Sequence, residues 1–341
     1  MNEKKSEKMA KEKIKVAFIY KPSQPYFSPS YYDTTPYNFF WLALNRNQEL
    51  DVTYFPSEDS FDVKQIDKKY DIILLPNNFP TFVPDLIGIE QSKIPVICRT
   101  GDFHYAKRYN QFQYHEKFKI DYYFNFMSEK YFYKFYPSDY KYETVIYGIE
   151  PQFFKNLKPF PQRIKDKILN TGQVGNKKLR SRIINRVIHP KRSNWYFYKL
   201  RTVCNDLPYV VKQTLGKENP EMKNKNFTGN NYYEFLSEYR AGVAATTFYP
   251  TVKYWEIPAA GCLTFMEITD VNYGDYLGFV DKKNAIFINE SNYKDKFNEY
   301  MENPDDSEWE KIALAGREYV LNNLTNDDAV KRLVKVMKKL I

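Results

Sequence analysis

The chain has 341 residues, 43% hydrophobic and 27% charged, with a formal net charge of +9 at pH 7. That length suits two domains, each with its own core; no run of eighteen apolar residues occurs, so no membrane-spanning helix is expected. Three widely spaced cysteines (Cys98, Cys204, Cys262) exclude a disulfide framework and a zinc ribbon and point to a reducing compartment, hence to the cytoplasm. The positive charge favours anionic partners such as nucleotide phosphates, an anionic membrane face or nucleic acid, without choosing among them.

Residues 1–13 are charged, lack the apolar core of a signal peptide and read as a disordered tail. From there short apolar runs alternate with amphipathic segments of helix length, the pattern of α/β sheets covered on both faces. Strands are expected at Lys15–Tyr20, Asp51–Phe55, Asp71–Leu75, Ile94–Cys98, Asp121–Phe124 and Glu143–Ile146, with helices near Asn38–Asn47, Pro84–Gln91, Tyr105–Lys117 and Ser128–Phe135. These make a first domain over residues 14–150. Residues 151–161 hold three prolines and no period, and read as a linker. A second α/β series over 162–322 has strands at Lys167–Asn170, Trp195–Tyr198, Gly242–Thr246, Cys262–Met266 and Ala285–Ile288. Its helices fall at Lys177–Ile188, Tyr232–Tyr239, Tyr293–Glu302 and Ser307–Asn322. A last helix within 323–341 opens on a loose capping box, Thr325-x-x-Asp328, and carries an apolar stripe (Val330, Leu333, Val334, Met337, Leu340). Its opposite face, rich in lysine, is either solvated or a peripheral contact for an anionic membrane.

Two segments carry candidate chemistry. In Lys253-Tyr-Trp-Glu-Ile-Pro-Ala-Ala-Gly-Cys-Leu-Thr264 a cation and a carboxylate stand three residues apart, followed by a short helix stopped at Gly261 and an apolar strand. With the apolar Gly242–Thr246 run before it, that order puts Lys253 and Glu256 at the rim of a parallel sheet, where α/β proteins bind ligands. Pro258, tolerated where its missing N–H has no partner, places Glu256 in or just before the first helical turn. Gly261 fits the positive-φ position past the helix end. Glu256 is then either a carboxylate favoured by the helix dipole or an acceptor for vicinal hydroxyls such as those of a ribose. The second segment, Ile168–Arg180, runs from a strand into a loop with Gly172 and Gly175, then to Lys177, Lys178 and Arg180 at a helix start. Cations there oppose the helix dipole unless an anion such as a diphosphate lies among them; otherwise they form a solvated basic turn. The spacing is neither a Walker A loop nor a dinucleotide fingerprint.

Together these blocks resemble a GT-B glycosyltransferase, family 1/family 4-like, in the branch of spore-maturation-protein-like transferases. Glu256-Ile-Pro-Ala-Ala-Gly261 resembles that superfamily's Glu-x-x-Ala-x-Gly donor motif. Thr144–Glu150 followed by Phe153 resembles the segment leading into its second domain, and the Gly172/Gly175 loop stands at the place of its diphosphate loop. The resemblance spans most of the chain from Ile14 onward. It implies two Rossmann-like α/β domains facing across a cleft, with a C-terminal helix crossing back to the first. It also implies transfer of a sugar from a nucleotide diphosphate sugar to an unidentified acceptor (glycan, lipid-linked or other), without a required metal or cofactor. Carried over by position, Glu256 would hold the donor ribose and Arg180 with Lys253 would neutralise the diphosphate, Lys178 being a further candidate. Phe248 stands where many relatives carry a second glutamate, and Thr246 or Thr247 are the residues nearby that would meet sugar or phosphate instead.

On the first domain, Arg99-Thr-Gly-Asp-Phe-His104 follows an apolar strand, so Asp102 and His104 project toward the cleft. His104 suits proton transfer near neutral pH, and Asp102 would orient it or act as base; a structural loop is the alternative. The proline- and tyrosine-rich stretch Lys21–Tyr37 would overhang the same cleft. No Asp-x-Asp occurs, which disfavours a metal-dependent site, and no nucleic-acid motif is recognisable. The rival readings are a nucleotide-sugar epimerase on the same fold and a non-catalytic basic protein binding nucleic acid or an anionic surface.

Overall fold

The computed structural model describes residues 12–27, 36–107, 109–188, 194–213 and 230–341; most of the expected tail, up to residue 11, lies outside them. Strands in the first half are β1 (Ile14–Tyr20), β2 (Leu50–Pro56), β3 (Ser60–Asp62), β4 (Ile72–Leu75), β5 (Asp85–Ile87), β6 (Val96–Arg99), β7 (Tyr122–Asn125) and β8 (Tyr142–Thr144). Six of them form a parallel sheet in the order β2-β1-β4-β6-β7-β8, and β3 pairs with β5 beside it. The sheet is buried on both faces, which is why β4 reads as an unbroken apolar run and β6 is apolar as far as Arg99. Strand alternation divides them: Val16, Phe18, Ile72 and Leu74 enter one core, while Ala17, Ile19, Ile73 and Leu75 enter the other. Helices α1 (Leu42–Arg46), α2 (Gln113–Phe118) and α3 (Glu129–Phe132) belong to this half.

The second half has strands β9 (Ile164–Thr171), β10 (Val210–Gln213), β11 (Tyr239–Ala244), β12 (Leu263–Glu267) and β13 (Ile286–Ile288), again all parallel, in the order β10-β9-β11-β12-β13. From β9 the chain goes first to β10 on one side and then to β11 on the other. The β9/β11 crevice is therefore the topological switch point, and the loops leaving the carboxyl ends of these strands surround it. Helices α4 (Leu179–Ile188), α5 (Asn194–Phe197), α6 (Lys199–Cys204), α7 (Asn230–Leu236), α8 (Lys253–Ala259), α9 (Tyr293–Glu302) and α10 (Ser307–Asn323) follow in turn, and α11 (Asn326–Met337) ends the series. This is the expected GT-B-like architecture of two parallel α/β layers with a returning C-terminal helix.

Three elements depart from the sequence reading. The aromatic run Trp195–Tyr198, expected as a strand for its β propensity, is helical in α5, and the edge strand is instead β10, whose backbone ladder with β9 starts at Val210. The expected helix Pro84–Gln91 is strand β5 followed by a single 3-10 turn, because Asp85–Ile87 completes a ladder with β3. The expected helix Tyr105–Lys117 shrinks to α2, since Asn110 takes a left-handed conformation (φ 47°) that interrupts it.

The last helix behaves as its pattern predicts. Thr325 and Asp328 form a reciprocal capping box. Ala329, Val330, Leu333, Val334 and Met337 are buried in the core of the first sheet beside Phe18, Leu44 and Phe124. On its basic face Lys331 pairs with Asp328 and Lys338 with Glu49. Leu333 is fully buried, so Leu333→Ala should lower stability by about 3 kcal/mol, read as a lower urea midpoint at unchanged slope.

Candidate functional site at the second sheet's switch point

Strand β9 ends at Thr171 and the chain turns at Gly172, whose φ of +95° an L side chain rarely adopts. The absence of a Cβ also matters. A methyl group there would lie 2.7 Å from Lys253 Cε and 3.4 Å from Arg201 Nη1, so two cationic side chains converge on this turn. Gly175 N–H donates to Thr202 Oγ1 at 2.7 Å, holding the rest of the loop against α6. Asn170, buried under the turn, donates to the Arg201 carbonyl at 2.7 Å and fixes α6 from below.

Helix α8 begins at Lys253, and Glu256 lies three residues on, on the same face. Gly261 has φ +73°, as expected past a helix end. Glu256 is in the first turn as predicted, but Pro258 is not at the helix start; it sits inside α8. Gly316 of α10 packs opposite it, where a Cβ would touch Pro258 Cβ at an ordinary 3.4 Å but clash with the Asn284 carbonyl at 2.5 Å.

The electrostatics are those of buried charge. Burial pushes the Lys253 ammonium down to about 8, with the nearby Glu256 carboxylate opposing the shift and Arg201 adding to it. Burial raises the Glu256 carboxyl, opposed by the Lys253 charge and a hydrogen bond with Tyr232. Lys253 Nζ donates to the Tyr232 hydroxyl at 3.1 Å. Arg201 is only 3% exposed. Its Nη1 donates to the Gln173 carbonyl at 3.3 Å, while Nε and Nη2 are buried without a partner. Glu267, at the end of β12, is pushed up to about 7 by burial and by the Glu290 charge. A buried cation with open donors is costly unless an anion meets it. The arrangement is therefore chemically suited to an anion lying over Gly172, flanked by a carboxylate that can accept hydroxyls.

Of the residues singled out in the sequence, the structure brings Gly172, Lys253 and Glu256 together, with Gly175 in the same loop. Thr247 lies at the carboxyl end beyond β11; its N–H donates to the Phe197 carbonyl at 3.0 Å and its Oγ1 is buried without a partner. Lys178 and Arg180 are exposed, and neither side chain has a hydrogen-bond or ion-pair partner among the described residues. Lys177 pairs with Asp206, and α4 starts only at Leu179, so of the three cations one alone stands in the first turn. Arg201, Tyr232 and Glu267 were missed. Reading Trp195–Tyr198 as a strand left Arg201 in a presumed loop; its spacing of three from Tyr198, over whose ring its guanidinium sits at 4.8 Å, is the helical signal that would have found it.

Across the interdomain cleft stand the loops of the first sheet. His104 is half-buried, its ring 4.1 Å from Tyr105 and 6.2 and 6.1 Å from Phe197 and Tyr249 of the second half. Asp102 is exposed and its side chain is not spent as a helix cap. Burial and then the Asp102 charge raise the Tyr249 hydroxyl, which puts that carboxylate at the same cleft. Arg99 is buried against the Pro76 carbonyl (2.8 Å) and the Tyr147 hydroxyl (3.1 Å). Of the Lys21–Tyr37 stretch, residues 28–35 lie outside the described residues. Among the described residues, no three His, Cys, Asp or Glu side chains gather as metal ligands would, and no helix is long and apolar enough to cross a membrane.

Residues 192–335 match a family model described as glycosyl transferase-like. No curated protein matches the chain by sequence. Among solved structures the chain is similar to a glycosyltransferase from Rickettsia africae (TM-score 0.54, 10% identity, 96% of this chain and 98% of that one). It is also similar to an alpha-glucosyltransferase (AGT) in complex with UDP (TM-score 0.53, 10% identity, 96% and 99%). S. aureus TarM matches at a TM-score of 0.48 and 12% identity, and the chain spans only 57% of its length. At these identities the likeness is one of fold.

The burial of Lys253 is directly measurable. In protein labelled at lysine Cε, one resonance should titrate near pH 8 and vanish in Lys253→Met. Titration of every lysine above about 10 would contradict the site as drawn.

Proposed function

We propose that the chain, whose fold is similar to that of solved glycosyltransferases and whose residues 192–335 match a glycosyl transferase-like model, moves a sugar from a nucleotide diphosphate sugar to an acceptor across the cleft. In this reading residues 162–322 form the donor domain, 14–150 the acceptor domain and 151–161 the linker. The observation that carries it is the convergence of half-buried Lys253 and buried Arg201 on the Gly172 turn, with Glu256 beside them. Two converging cations match a diphosphate, and a carboxylate within the same helix turn matches a ribose diol. A neighbour of the same fold is recorded with UDP, which agrees with a nucleotide ligand.

Chemically, an acceptor hydroxyl forms a bond to the anomeric carbon while the bond to the diphosphate oxygen breaks. The charge left on the diphosphate is met by Lys253 and Arg201, in a site already organised before reaction. Side-chain cations thus take the part a metal ion plays elsewhere. In this reading Asp102 or His104, whose loop lies beside Tyr249 and Phe197, receives the acceptor proton. Arg180, which the resemblance assigned to the diphosphate, yields that place to Arg201 because its side chain is exposed on α4.

Glu256→Ala should weaken nucleotide-sugar binding roughly 30-fold or more by calorimetry, and Arg201→Ala should depress turnover well beyond Arg180→Ala. Unchanged donor affinity in the Glu256 variant would overturn the ribose assignment, and a larger effect at Arg180 would return the diphosphate to that residue. Donor affinity should also depend on pH in a set direction. The Lys253 ammonium is present below its pKa of about 8 and lost above it, so affinity should fall about tenfold between pH 7.5 and 9. Lys253→Met should abolish that slope.

A further inference from the structure

Helix α4 leaves an aliphatic row in water. Leu179, Ile183 and Val187 are 68%, 55% and 76% exposed. At 100° per residue they span an arc of about 80°, over a length of about 12 Å. Arg180, exposed, falls beside one edge of that arc and Lys178 precedes the helix, while Arg182 lies about 60° beyond the other edge with its guanidinium 4.2 Å over the Trp195 ring. No acidic residue occurs in Leu179–Ile188. Scattered exposed aliphatics are ordinary, but three in register beside free cations, on a helix without an acidic residue, are not.

We propose that this face of α4 docks on the surface of an anionic lipid bilayer. The aliphatic row enters the boundary between headgroups and acyl chains, and Lys178 and Arg180 reach sideways to lipid phosphates along their apolar stems. The chain's net charge of +9 acts in the same direction. Other occupants fit less well. A row of three side chains is far short of the roughly 800 Å² per partner of a stable protein interface, and an aliphatic row offers nothing to a nucleic acid. The basic C-terminal helix, the other candidate for lipid contact, has its apolar stripe already buried in the first sheet's core.

Co-sedimentation tests this with full-length protein and two kinds of vesicle, pure phosphatidylcholine and phosphatidylcholine with 30% phosphatidylglycerol. The protein should pellet at least about fivefold more with the anionic vesicles, and less as salt rises. The double variant Ile183→Ser/Val187→Ser should cut that partition about tenfold while keeping the wild-type melting temperature. In Ile183→Trp, the fluorescence increment over wild type should shift to the blue on anionic vesicles only. Equal or absent pelleting with both vesicles, or a double variant that pellets like the wild type, would overturn the proposal. So would a concentration-dependent dimer that the double variant dissolves, since the row would then be a contact between copies of the chain.

Discussion

Asn326 is fully buried where the chain leaves the first sheet and where it later returns. Its side-chain oxygen accepts from Gly148 N–H at 2.7 Å, and its amide donates to Asn38 at 2.6 Å and Glu150 at 3.3 Å. Its own N–H donates to the Ile149 carbonyl at 2.8 Å. Arg46 closes over the joint, with Nη1 2.8 Å from Glu150 and Nε 2.8 Å from Asp327. A buried amide is expensive to leave unpaired, so the two crossings of the chain are held side by side rather than merely near each other. The opposition of the two sheet mouths follows from that joint, and so does the placing of His104 against Tyr249.

The second constraint is the burial of charge at the donor-side mouth. Lys253, Glu256, Arg201 and Glu267 sit in one poorly solvated region with fewer ion pairs than charges, which explains why the lysine is pushed down and the carboxyls up. Such a site lowers the stability of the empty protein and gains it back on meeting a ligand of the right charge. The tight turn at Gly172 is what permits the approach: any side chain there would displace the lysine.

Local rules made much of this legible. Most of the apolar runs, the capping box at Thr325 and the positive φ at Gly261 are set by neighbours in sequence and came out as their spacing indicated. Lys253 and Glu256 were legible because one helical turn determines their common face. Arg201 was not. It reaches the site only because α5 and α6 fold the Trp195–Cys204 segment back under the Gly172 turn, and that fold is held by bonds from Asn170 and Gly175, distant in sequence. Pro258 misled in the opposite way, since the local rule that favours proline in a first turn did not decide its place inside α8.

Between Lys253 and Glu256 on α8 lies Trp255, which faces elsewhere. Its indole N–H donates to the Tyr147 carbonyl of the first half at 3.0 Å, and its ring lies 5.6 Å from Phe126. Seven residues therefore form a lever with one arm in each half of the molecule. A shift of α8 at its charged arm cannot stay on that side, because the indole must move with it or break its bond. Whatever free energy the occupant of one mouth spends on moving this helix appears, with equal size, in the affinity of the other.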